Sequence, residues 1–401
     1  MDCVQKQRKK CLLILPRPIF PLVSGYSLKN YHLMQILAKE YQLTAAVISE
    51  KTLVDEEWEF YKKNQIECLE LILPKWKSVW KLCAGLFTGR PLQVSYYFDT
   101  GIKKKLIPYI KKSQICIAAL IRTRMYLDDY DIEANNVHDK RIVMDMVDAI
   151  SVHYRRSQKE AKSFIWRILY GIEAKRLEIY EKKWILNSDI TYLFNQNECR
   201  QMEQYGKVKW LPHGVNPELF TYSKTNAMYQ KSVTFIGKMN YKPNVEAVLW
   251  YLKHVQSRIG TQIPLVIVGA YPTKEVINAA NQQPNVTVTG YVEDPYEILN
   301  SSLAVVAPMQ TGGGIQNKVL EGMALGKINL VSSLAAEPIV GAEDKKHLLI
   351  ADTAEEYIQY LKKIWENREI YEPVEENARK YIRENYTWEK YGREYIDGIN
   401  E

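Results

Sequence analysis

Short runs of β-branched and aliphatic residues alternate with longer segments whose apolar positions recur at helical spacing, and the alternation continues along the whole chain. That order predicts βαβ units and parallel sheets. In the first half the runs 12–15, 44–49, 67–73, 115–121, 142–146 and 190–194 are expected strands, and in the second half 232–236, 265–268, 286–289, 304–307 and 329–332. Long helices are expected over 27–41, 157–187, 244–257 and 355–367. Segment 157–187 mixes charges with Ile, Leu and Trp at helical spacing, which fits a domain's outer helix better than a membrane-surface helix. Between the two sets, the segment KVKWLPHGVNPELF carries Pro212, Gly214 and Pro217, the punctuation of an interdomain connection.

A single core stops growing at roughly 250–300 residues, so 401 residues imply two domains. An apolar share of 46% with 25% charged residues is that of a globular chain. No apolar run is long enough to span a bilayer. The basic start, MDCVQKQRKK, lacks the apolar core and cleavage site of a secretory signal, so the chain is expected in the cytoplasm. Six cysteines, Cys3, Cys11, Cys68, Cys83, Cys116 and Cys199, stand apart with no C-x-x-C pair, so neither a zinc site nor a disulfide framework is expected. The net charge of +7 is too diffuse to suggest nucleic acid and suits anionic substrates or an anionic membrane face. The N-terminus and the Trp-bearing stretch 76–87 fit membrane contact, or equally a lead-in and a buried helix.

The richest chemistry lies in APMQTGGGIQNKVLEGMALGK, which follows a short apolar run. Gly312, Gly313 and Gly314 remove three consecutive Cβ atoms from a turn that enters a helix, letting backbone N–H groups approach an anion such as a diphosphate. Lys318, one turn in, adds a point charge, and Glu321 lies three residues further on the same face, where it can accept from ribose hydroxyls. Lys238 follows a strand and Gly237, a place suited to phosphate.

This segment resembles the retaining glycosyltransferases of the large family 4 group, particularly bacterial members that build exopolysaccharide and other surface glycans. The likeness extends to PRPIFPLVSGYSLKNYHLMQILAKEY, RIVMDMVDAIS, NSDITYLFNQNECRQM, LPHGVNPELF, VTFIGKMNYKPNVEAVLWYL, LVIVGAYP, VTVTGYVEDPYEIL and ENYTWEKYGREY, in the family's order. It implies an α/β fold of two Rossmann-like domains facing across a cleft (GT-B). The acceptor domain would span 1–206 and the donor domain 207–375, with a helix in 376–401 returning to the first. It implies a UDP- or GDP-linked sugar donor, no cofactor and no metal, and a glycan, lipid-linked or protein-linked acceptor, at the cytoplasmic face of the inner membrane. By the same resemblance Lys238, Lys318 and Glu321 carry the chemistry. Gly237, Tyr291, Val292, Gly312, Gly313, Gly314, Ile315 and Asn317 hold the donor.

One departure stands out: relatives often carry two glutamates eight residues apart, and counting eight back from Glu321 lands on Gly313. The sugar-facing carboxylate is missing, and transfer would rest on positioning and leaving-group stabilisation. On the acceptor side, Arg122, Arg124, Asp145 and Asp148 are expected at carboxyl strand ends, pointing into the cleft; Gly25 allows close approach at a helix entry. His153 is placed there as a further candidate, although a lone histidine is more often structural. The strings Asp129-Tyr130-Asp131 and Asp145-Met146-Val147-Asp148 raise a metal-dependent transferase of another fold, which would leave the second βα domain without a task. A sugar-nucleotide epimerase and a non-catalytic binding subunit on the same fold stay open as alternatives, whereas a phosphorylase would need a lysine placed for a pyridoxal cofactor and usually a much longer chain.

Overall fold

The computed structural model of the protein describes residues 8–22, 24–128, 140–161, 163–312 and 314–401. It divides into two compact units, one built from the chain up to Leu211 with Gly392–Glu401, the other from Pro212–Tyr391. Among the described residues the first unit holds a seven-stranded sheet: β1 (Lys10–Leu15), β2 (Gln42–Ser49), β3 (Glu67–Ile72), β4 (Ile115–Ala119), β5 (Arg141–Val147), β6 (Ile190–Leu193) and β7 (Val208–Trp210). The second holds six strands: β8 (Val233–Ile236), β9 (Leu265–Val268), β10 (Val286–Gly290), β11 (Ala304–Ala307), β12 (Asn329–Val331) and β13 (Leu349–Ile350).

Every pairing between these strands is parallel. The orders are β3-β2-β1-β4-β5-β6-β7 and β10-β9-β8-β11-β12-β13. Each sheet therefore reverses its winding once, between β1 and β4 and between β8 and β11, and open α/β sheets bind ligands outside the carboxyl ends of the strands at such a reversal. Central strands of a parallel sheet are covered on both faces, which explains why Cys11–Leu15 and Ala304–Ala307 are wholly buried.

Two strands were not visible as separate runs. β7 lies inside the segment assigned to the connection, and its pairing with β6 carries the first unit on to Leu211. β13 has two residues, too few to show a period. The long helix expected over 157–187 is instead a helical hairpin of Ile150–Glu160 and Phe164–Leu186. Reversal lets Ser151 meet Glu181 and Arg155 meet Glu178, contacts that a straight helix would forbid.

At the other end of the chain, helix Trp388–Asn400 starts in the second unit and finishes in the first. Gly214 lies so close to it that a Cβ would stand 2.3 Å from the Trp388 nitrogen. In the first unit Tyr395 stacks on Tyr192 at 4.3 Å, accepts its hydroxyl hydrogen bond on the backbone at 2.7 Å, and donates to Asp145 at 3.2 Å.

Candidate active site

The loops after β8 and β11 flank the reversal point of the second sheet, and they carry Lys238 and the glycine turn. Gly237 donates its N–H to Val268 at 2.9 Å, and a Cβ on Gly269 would lie 1.8 Å from the Gly237 carbonyl oxygen. The backbones after β8 and β9 thus touch, which brings Lys238, itself exposed, to 5.5 Å from the ring centre of Tyr271. Asn244, buried near the start of helix Lys242–Tyr251, donates to the Lys238 carbonyl at 3.0 Å and accepts from Lys318 Nζ at 2.6 Å. One side chain therefore fixes both basic positions. Nothing in the sequence reading pointed to it, although the helix start KPN, with proline in the first turn, was a signal that could have.

Lys318 is buried with its ammonium 4.5 Å from the Phe235 ring centre and 3.7 Å from Met309 Sδ. Burial lowers its pKa to about 7, against the opposing charge of Glu321. Glu321 is half-buried, accepts from the Tyr296 hydroxyl at 3.3 Å, and is raised to about 7 by burial. Lys318 and Glu321 thus stand on one helix face with their pKa values drawn together by burial. The turn before them adopts the left-handed region at Gly312 (φ 105°) and Gly314 (φ 82°), where any side chain would be strained. A Cβ on Gly312 would meet Pro243 at 3.4 Å, and Thr311 donates to Glu246, so the turn rests on the helix that holds Asn244. Gly313 lies outside the described residues.

Helix Asn317–Ala324 opens without a side-chain cap, leaving its first N–H groups for a ligand or water. Ile315 is half-buried against the core, and Asn317 is half-buried at the helix start. Tyr291 stands 77% exposed after β10, while Val292 packs against Val266, Val268 and Ile298. The structure thus gathers Gly237, Lys238, Gly312 and Lys318 through Asn244 and Pro243, and Tyr291 stays outside that array.

In the first unit the candidates separate. Arg124 does not point outward: it is buried, its guanidinium 4.1 Å from the Trp184 ring centre and bonded to the Asn187 carbonyl at 2.7 Å. Asp145 is likewise enclosed, paired with buried Lys29 and with Tyr395. Both side chains are thus held inside the first unit rather than pointing outward from the strand ends as the sequence led one to expect. Arg122 stays half-exposed, donating to Gln93 at 2.8 Å beside the Tyr97 ring. Asp148 is half-buried and donates its N–H to Met146. His153 is exposed, 4.0 Å from Glu198. Gly25 is exposed at the start of helix Gly25–Glu40, with nothing within 4 Å of where its Cβ would be.

A cavity of about 510 Å³ opens at the carboxyl ends of β1, β2 and β3, walled by Arg17, Glu50, Leu53, Tyr96 and Tyr97. Its loop after β1 is held by buried Glu57, which accepts from the Ile19 N–H at 3.1 Å. Sequence reading missed this cavity because its residues come from four separate segments. Leu120 (φ 61°) and Val147 (φ 67°), beside the reversal point, hold positive φ without being glycine, at about 1–3 kcal/mol each. Asp129 and Asp131 lie outside the described residues, and among the described ones no three His, Cys, Asp or Glu side chains are grouped to hold a metal ion. Cys11, Cys68, Cys116 and Cys199 are free thiols.

Comparison with known proteins places this geometry. Residues 230–367 match the family described as Glycosyl transferases group 1. An uncharacterized 44.6 kDa protein in the cps region of Klebsiella pneumoniae is 26% identical over 60% of this chain and 63% of its own length. An uncharacterized glycosyltransferase of Methanocaldococcus jannaschii is 23% identical over 53% of each. The chain thus spans about half to three-fifths of the curated relatives it matches.

Among solved structures, Anabaena HepE in complex with UDP and glucose superposes with a TM-score of 0.68 at 12% identity, over 98% of this chain and 100% of that one. Sucrose-phosphate synthase from Thermosynechococcus elongatus gives 0.66 at 13% identity, over 97% and 98%. The chain has the two-domain GT-B fold, and the match over 230–367 supports a glycosyltransferase.

Proposed function

We propose that the protein is a retaining, metal-independent glycosyltransferase that moves a sugar from a nucleoside diphosphate to a hydroxyl of a glycan, lipid-linked or protein-linked acceptor in bacterial surface glycan synthesis, at the cytoplasmic membrane face. The observation that carries the reading is the bridge from Asn244 to Lys238 and Lys318, set beside the left-handed glycine turn and an uncapped helix start at the reversal point of the second sheet. UDP is favoured over GDP as carrier because HepE was solved with UDP and with UDP-glucose. The Klebsiella relative from a cps region favours a surface glycan.

In this reading the diphosphate lies against the helix N–H groups, with Lys238 and Lys318 facing its oxygens and Glu321 accepting from the ribose. The bond between the anomeric carbon and the diphosphate oxygen breaks with its electron pair leaving on the nucleotide. The lysines stabilise the charge that grows there, a contribution of about 10²-fold in rate for a single well-placed donor. The acceptor oxygen attacks from the face just vacated, and a diphosphate oxygen takes its proton. Position 313, where relatives often carry a glutamate, is glycine here, so this reading rests the reaction on positioning. The cavity beside Tyr96 and Tyr97 is assigned to the acceptor, since aromatic walls with flanking charges suit a sugar.

The test is a transfer assay in EDTA with UDP-glucose, UDP-N-acetylglucosamine, UDP-galactose and GDP-mannose, scored by the anomeric coupling of the product in nuclear magnetic resonance. An α-linked product from an α-linked donor is expected; a β-linked product, or transfer seen only with added metal, contradicts the reading.

A further inference from the structure

Helix Phe164–Leu186 has two faces of opposite use. Ala174, Leu177, Trp184 and Ile185 bury one face against the first unit. At 3.6 residues per turn, Ile165, Ile168, Ile172, Ile179 and Leu186 fall within about 60° of one another on the opposite face. All five are exposed, Ile165 by 68% and Leu186 by 72%. The tip adds exposed Phe164 and Trp166. Lys183 falls within the same arc and Arg176 at its edge, so this face is apolar with basic residues set into it, and exposed apolar surface of this extent on a folded chain marks a contact with something apolar.

The surroundings decide what that is. Lys175 and Lys182 border the stripe, and Lys183, set within it, pairs with Asp128 at 3.6 Å. The antiparallel helix Ile150–Glu160 contributes Arg155, Arg156 and Lys159 to a pocket of about 580 Å³ that Lys182 also lines. Glu178, the acidic residue lining that pocket, is already paired with Arg155 and Lys182. A second copy of the chain docking stripe to stripe would press these cations against their own equivalents, whereas an anionic bilayer offers hydrocarbon to the isoleucines and phosphate to the pocket. Helix Lys75–Thr88 touches the same helix where Arg176 reaches the Gly85 carbonyl, and it exposes Trp76 and Trp80, the aromatic type that prefers a membrane interface.

We infer that the outer face of helix Phe164–Leu186 lies on an anionic bilayer, with phosphate headgroups of its lipids seated in the basic pocket of Arg155, Arg156, Lys159 and Lys182. This gives the membrane contact a place and a chemistry, and it is independent of the donor site in the second unit.

The test is sedimentation of the full chain with vesicles of phosphatidylcholine alone and of equal parts phosphatidylcholine and phosphatidylglycerol, without donor. The protein is expected to sediment with the mixed vesicles and to be released as salt rises. The triple variant I168S/I172S/I179S is expected to bind about tenfold or more weakly. R156E/K159E is expected to lose the preference for the anionic vesicles. Circular dichroism and donor binding, which draw on neither patch, keep both variants interpretable. Wild type left in the supernatant with both vesicles overturns the inference. So does unchanged binding by the triple variant, or a lipid-free dimer that I172S splits, which would assign the stripe to a second copy.

Discussion

Asn244 sits between the two lysines, and its chemistry sets how the proposed donor site should respond to pH. Its amide oxygen stabilises the charged form of Lys318, which burial has lowered to about 7, while Glu321 has been raised to about 7. If the proposed roles hold, donor binding needs Lys318 protonated and Glu321 ionised, and affinity should peak near neutrality and weaken on both sides. Asn244→Asp should move the alkaline limb to higher pH by supplying a negative charge, and Asn244→Ala should move it lower and weaken binding about tenfold. Calorimetric titrations of a nucleotide sugar across pH 6–9 check this; limbs that stay put in both variants would remove Asn244 from the site. Lys318, Glu321 and the glycines were legible in the sequence because they share one short segment. Asn244 was not, because 74 residues separate it from Lys318 and only the β8–β11 pairing brings their segments together.

The helical hairpin shows the same limit at the level of elements. Periodicity over 157–187 signals helix and carries no mark of reversal, and the start of the first hairpin helix is held by carboxylates distant in sequence. Glu198 accepts from the Ala149 N–H at 2.6 Å and Glu181 from the Ser151 N–H at 3.0 Å, so they cap a helix that has no side-chain cap of its own. Burial raises Glu198 to about 8 and Glu181 to about 7, from an ordinary 4.5. Between that ordinary value and the folded one, the folded chain holds protons that the unfolded chain has released, so these groups make stability fall as pH rises through that window. Glu198→Gln keeps an acceptor without the charge, and its melting temperature should lose part of the decline that wild type shows from pH 5 to 8.5. Parallel slopes in the two proteins would contradict the assignment. The strands, by contrast, were nearly all visible, because a central parallel strand has to be apolar along its whole length, as β1 and β11 are.

For the whole molecule, the alternation of strands and helices implied parallel sheets and the length two domains, and the two parallel sheets with matching strand orders agree with both. What the alternation could not show is the way the last helix is tied in, since Tyr395 acts through partners some 200 residues away. Tyr395→Ala removes a buried ring from Tyr192 and a hydrogen bond from Asp145, and should cost the first unit about 3–5 kcal/mol in denaturant unfolding. Donor affinity in the second unit should be unchanged; a loss in both would mean that the units are not separate in stability.

Calorimetric titration of the four nucleotide sugars in EDTA, comparing wild type with Lys318→Ala and Glu321→Ala, tests the proposed donor site most directly. Binding of one donor that ignores EDTA and weakens about 100-fold in both variants is predicted. Binding that appears only with a divalent cation, or that is equal in all three folded proteins, would contradict the central claim.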